Sequence, residues 1–89
     1  MPTRQLEIVN EKGLHARASA KFAETVERFD ARARVRKDDV EAMGDSIMSL
    51  LMLAAARGST IEVETSGPEA EPLMEALAAL VADFFGEGM

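Results

Sequence analysis

One histidine occurs in the chain, His15, and it stands in the stretch GLHARASAKF, from Gly13 to Phe22. An arginine, Arg17, follows two places later, and from Ala16 onward the residues read as an alanine-rich helix. A histidine at or beside a helix N-cap meets backbone N–H groups that have no intrahelical acceptor, together with the positive end of the helix dipole. Such a setting holds anions. The N–H groups of Ala16 and Arg17 are expected to point outward past the ring. The field there opposes a positive charge on the imidazole and leaves it a nucleophilic nitrogen lone pair. The Arg17 guanidinium adds a full charge and a fork that matches phosphate oxygens. The chemistry this suits is phosphoryl transfer: an imidazole nitrogen takes the group, the backbone amides and the arginine share its charge, and the phosphoramidate stays reactive enough to pass it on. A lone histidine can equally be a turn residue without chemistry, and local physics alone leaves both readings open. Scattered carboxylates around one histidine are weak grounds for a metal, and no cofactor is implied.

The elements that would position His15 follow from periodicity. Arg4 to Asn10 alternates, with Leu6 and Ile8 on one face, and reads as a strand. Glu11 to Gly13 is a turn, and Gly13 tolerates backbone angles other residues avoid. From Ala16 to about Arg28 the spacing of Phe22, Ala23, Val26 and Phe29 is helical. ARARVRK alternates Ala33 and Val35 against Arg32, Arg34 and Arg36, and Lys37 to Asp39 turns it into a short return strand, Val40 to Ala42. Ser46 is a natural N-cap for a short helix that Gly58 would stop. STIEVETS is a fourth strand with Ile61 and Val63 inward. The last helix carries the stripe Leu73, Leu77, Leu80, Val81 and Phe84, with Pro68 or Pro72 in its first turn, and GEGM is a frayed tail. The order β-α-β-β-α-β-α predicts an α+β fold, a two-layer open-faced sandwich whose four-stranded antiparallel sheet is covered on one face by three helices.

The 89 residues suit one small domain, 1–89. With no cysteine there is neither a disulfide framework nor a thiolate metal site, which favours a reducing compartment. No stretch has signal-peptide or membrane-spanning character, so a cytoplasmic protein without membrane insertion is expected. The net charge of −6 disfavours nucleic acid. The local run Arg28, Arg32, Arg34, Arg36 and Lys37 is either a solvated strand face or part of a docking surface for acidic proteins.

GLHARASAKF resembles the active-site signature of HPr, the histidine-containing phosphocarrier of the phosphoenolpyruvate-dependent phosphotransferase system. GDSIMSLLMLAAARGS, Gly44 to Ser59, is similar to that family's regulatory serine and the helix after it, and element order and length agree along the whole chain. The resemblance implies that His15 is the phosphoryl acceptor, Arg17 the phosphate-stabilising arginine, Ala16 a backbone N–H donor to the phosphate, and Ser46 the seryl site. It implies enzyme I as donor, IIA-type proteins as acceptors and HPr kinase/phosphorylase as a modifier of Ser46. The family commonly has proline after the arginine. Ala18 stands there instead, and alanine removes no phosphate ligand. HARASAKF, SLLMLAA and LVADFFGEG are similar to proteobacterial and nitrogen-branch members.

Transfer between proteins also needs a docking surface. In the second helix Leu50 and Leu53 are assigned to the core, and Ile47, Met48 and Leu51 to an exposed patch beside His15, although the whole stripe could be core. Methionine adapts its shape to several partners. An alternative function is a regulatory binding module acting through Ser46 and this helix. A ferredoxin-like small-molecule binder is a third reading, for which the sequence shows no ligand motif.

Overall fold

A computed structural model describes residues 2–86. The strands are β1 (Thr3–Glu7), β2 (Arg32–Lys37), β3 (Val40–Met43) and β4 (Thr60–Ser66), and the helices are α1 (Ala16–Glu27), α2 (Ile47–Met52) and α3 (Ala70–Ala82). They follow the expected β-α-β-β-α-β-α order. The strands form one antiparallel sheet in the order β1-β4-β2-β3. Of the expected tail, residues 87–89 lie outside the described residues, whereas Gly86 is held in a short 3-10 turn, its N–H bonding Asp83 O at 2.9 Å.

Alternation decides the two faces of the sheet. Leu6, Ala33, Val35, Ala42, Ile61 and Val63 are buried and meet Leu14, Phe22, Val26, Leu50, Leu73 and Leu77 from the helical side in one core. The opposite face is charged. Arg36 pairs with Glu41 and Glu62, each at 2.9 Å, and Arg34 lies 3.7 Å from Glu41 and 3.9 Å from Glu64. The hydrogen bond from Arg36 to Glu41, and then the surrounding carboxylates, hold the Arg36 guanidinium above its ordinary pKa. Of the two readings of the basic run, β2 therefore fits the solvated face: Arg34 and Arg36 are already matched by acids of the same sheet. Arg28, the C-cap of α1, faces Glu24 one turn back at 3.9 Å.

Several element ends differ from the sequence reading. β1 stops at Glu7 rather than Asn10, because Asn10 turns inward to bond the loop that follows. α2 ends at Met52 with Leu53 as its C-cap, well before Gly58. The residue that leaves the helix is Ala54, in the left-handed region at φ 52°, while Gly58, at φ 90°, serves a later turn whose N–H bonds Ile8 O at 2.7 Å. Pro72 takes the first turn of α3 and Pro68 precedes the helix. The apolar stripe of α3 ends differently as well: Phe84 is half-buried, and Phe85 is the side chain sealed in the core. The helix has already ended at Ala82, and left-handed backbone at Phe84 and Phe85 (φ 57° and 54°) swings Phe85 inward. Lys21 of α1 donates to Phe85 O at 2.9 Å and fixes that turn.

Ala54 gives a direct test. A left-handed residue after a C-cap favours glycine, since a Cβ is strained there. Ala54 is exposed, so removing its methyl empties no core space. Ala54→Gly is expected to raise stability by about 0.5–1 kcal/mol, read as a higher urea midpoint with an unchanged slope. A lower midpoint would contradict the strain.

Candidate functional site

The site is a loop tied down at both ends. After β1, Ile8 N–H bonds Ser59 O at 2.8 Å, and Leu14 N–H bonds Ala55 O at 2.8 Å, so the segment from Ile8 to Leu14 runs along the segment from Ala55 to Ser59. Gly13 stands where these segments touch. Its φ is 67°, and a Cβ built on it would lie 2.5 Å from Ala55 O and 2.9 Å from Ala56 Cα. Only glycine fits both the angle and the approach.

His15 is the N-cap of α1, with extended backbone (φ −83°, ψ −174°). Its carbonyl accepts from Ser19 N–H at 2.8 Å, and its Nδ1 accepts from the backbone N–H of Arg17 at 3.3 Å. An imidazole nitrogen that accepts a hydrogen bond carries no proton, so the ring proton belongs on Nε2. The lone pair of Nδ1 therefore faces the helix terminus. This refines the sequence expectation in one respect: the Arg17 N–H does not point past the ring but is engaged by it. Ala16, the first residue of the helix, is exposed, as is Arg17, and His15 is half-exposed. The contact between His15 and Arg17 is made through the Arg17 backbone.

Ser46 caps α2 as expected, its Oγ accepting from Ser49 N–H at 3.2 Å, and it is half-exposed. Leu50 and Leu53 are buried as assigned. The apolar patch is real but differently composed. Ile47 and Met48 are exposed (41% and 71%), while Leu51 is half-buried and Met52 is exposed at 74%. Helical spacing explains it. Met48 and Met52 are four apart and share one row, nearly opposite Leu50 and Leu53, whereas Leu51 sits at the flank. Met43, exposed at 50% on β3, lies on the other, charged face of the sheet beside Arg34 and Glu64, and so does not extend this patch. Its side was legible from its place next to buried Ala42 in an alternating strand. Since Ala55, just past α2, bonds Leu14, the C-terminal end of this helix adjoins the His15 loop.

Among the described residues no cluster of His, Cys, Asp and Glu could hold a metal, and no helix is long and apolar enough to cross a membrane.

A four-stranded antiparallel sheet, backed by helices and carrying a helix-capping histidine on the loop after its first strand, defines the class of small α+β phosphocarriers. The chain belongs to the HPr family of the phosphotransferase system: the family model described as PTS HPr component phosphorylation site matches residues 2–83. Phosphocarrier protein HPr of Neisseria meningitidis serogroup A is 48% identical over 88 residues, covering 99% of each chain. Phosphocarrier protein NPr of Escherichia coli is 46% identical over 80 residues, covering 89% of this chain and 86% of that one. The crystal structure of HPr-C-His from Thermoanaerobacter tengcongensis superimposes with a TM-score of 0.94 at 32% identity, covering all of both chains.

Proposed function

We propose that the domain accepts a phosphoryl group from phosphorylated enzyme I on Nδ1 of His15 and passes it to IIA-type proteins in the cytoplasm. The observation that carries this reading is the bond from Arg17 N–H to Nδ1. It aims a lone pair at a helix N-terminus, where charge on an incoming phosphoryl group is stabilised. The Nδ1 lone pair forms the N–P bond as the bond from phosphorus to the donor breaks. The Arg17 N–H then turns from the ring nitrogen to a phosphoryl oxygen, joined by the N–H of Ala16 and the Arg17 guanidinium. The onward step reverses these changes. The carrier turns over nothing alone, because each step uses a partner's active site. Incubation with phosphoenolpyruvate, magnesium and enzyme I tests the reading. The expected result is one added phosphoryl mass that is lost in acid. An acid-stable adduct, or none, would refute it.

Arg17→Ala is expected to slow transfer in both directions by at least about tenfold, close to 1.4 kcal/mol of barrier, with the fold intact. Rapid-quench transfer rates equal to wild type would show that the guanidinium does not meet the phosphate.

The apolar surface of Ile47, Met48 and Met52, with Leu51 at its flank, is the proposed dock for enzyme I and IIA-type proteins. Ser46, which caps the same helix, is the proposed target of an HPr kinase/phosphorylase. Ser46→Asp is expected to keep α2, since aspartate also caps helices, while its charge beside Asp45 weakens docking to an acidic partner. The apparent KM for this protein should rise more than kcat falls, the mark of lost uniform binding, and added salt should restore part of it. A wild-type KM at low salt would leave Ser46 as a cap alone. A purely regulatory module, the second reading, is disfavoured by the retained His15 and Arg17.

A further inference from the structure

The two peptide carbonyls that precede His15 are each held by a fully buried side chain. Asn10 Nδ2 donates to Gly13 O at 2.7 Å, and Ser19 Oγ donates to Leu14 O at 3.3 Å. Both donors have zero exposure. Asn10 reaches forward from the first half of the loop after β1, and Ser19 reaches back from the first turn of α1. The next carbonyl, that of His15, accepts from Ser19 N–H at 2.8 Å, and Gly13 O also accepts from His15 N–H at 3.0 Å. Three successive carbonyls around the ring are thus occupied by donors of the domain itself.

This matters for an anion. A peptide oxygen carries partial negative charge, and one released from these bonds could rotate toward the phosphoryl group, which bears close to two negative charges near pH 7. Preorganised N–H groups stabilise developing charge because they need not reorient at the moment of reaction. We propose that Asn10 and Ser19 are positioning residues for phosphoryl transfer at His15. They hold the Gly13 and Leu14 carbonyls turned into the domain, so that the phosphate meets N–H groups and the Arg17 guanidinium rather than backbone oxygen. The proposal rests on His15 being the phosphoryl carrier.

Ser19→Ala, which removes one oxygen, and Asn10→Ala test it alongside wild type and His15→Ala. Each variant is mixed with phosphorylated enzyme I in single-turnover experiments well below its melting temperature, over a range of enzyme I concentrations. The transfer rate at saturating enzyme I should fall by about tenfold, with the half-saturating concentration changed by less than about twofold. The phosphorylated variants should lose phosphate to water faster than wild type, and their phosphohistidine 31P resonance should move. A purely structural role predicts a lower melting temperature with wild-type transfer, hydrolysis and 31P shift, and that result overturns the proposal. If Asn10→Ala does not fold, Ser19→Ala decides alone. Absence of acid-labile phosphate on the wild type would overturn both this proposal and the phosphocarrier reading. Wild-type uptake with undiminished rates in the variants would overturn this one only.

Discussion

His15→Ala is expected to abolish acid-labile phosphate uptake from enzyme I entirely. No other histidine exists in the chain to take its place. The variant also loses the Nδ1 cap on Arg17 N–H, which should cost only about 0.5–1 kcal/mol, as other N-cap truncations do. The circular dichroism spectrum should match wild type, so lost uptake would reflect lost chemistry rather than lost structure. Intact mass after incubation with phosphoenolpyruvate, magnesium and enzyme I is the measurement. An alanine variant that still gains a phosphate removable by acid would sink the assignment of His15.

The second large effect is on stability. Gly13→Ala is expected to cost roughly 3 kcal/mol, combining left-handed strain with a forced backbone shift. The new Cβ meets main-chain atoms, Ala55 O and Ala56 Cα, which cannot step aside as a flexible side chain would. Relief must come from separating the two segments, and that stretches the Leu14–Ala55 hydrogen bond. Urea denaturation should show the midpoint fall with little change in slope. A loss below about 0.5 kcal/mol, the range of neutral surface changes, would mean that the segments part without cost.

What could be foreseen from the chain was what local spacing determines. The alternation in Arg32 to Lys37 and the helical spacing of Phe22, Ala23 and Val26 each follow from which face meets the core. His15 and Ser46 were readable as caps because capping depends on a residue type and its position relative to a helix start. The misses share a different cause. Whether the chain leaves α2 at Ala54 or Gly58, and whether Phe84 or Phe85 enters the core, depends on backbone turns set by distant contacts. Lys21 on the Phe85 carbonyl is such a contact, 64 residues away in sequence. Asn10 was absorbed into a strand because alternation records nothing about side-chain bonds to a carbonyl three residues on. Met52 was passed over for Leu51, although the row it shares with Met48 was countable.

The β1-β4-β2-β3 strand order governs when, during synthesis, the His15 site can exist. Among the described residues β1 pairs only with β4, which leaves the ribosome more than fifty residues later. The loop's own tethers, Ala55 and Ser59, emerge just before or with that strand. A nascent chain displaying GLHARASAKF therefore has His15 without its frame, and helix α1 alone, at 12 residues, is too short to persist in water. Closure waits further still, for Phe85 to fill the core. The site is consequently a late product of translation, and pairing ends so far apart slows the search for the native sheet. Until that search ends, a partner recognising the assembled surface has nothing to engage.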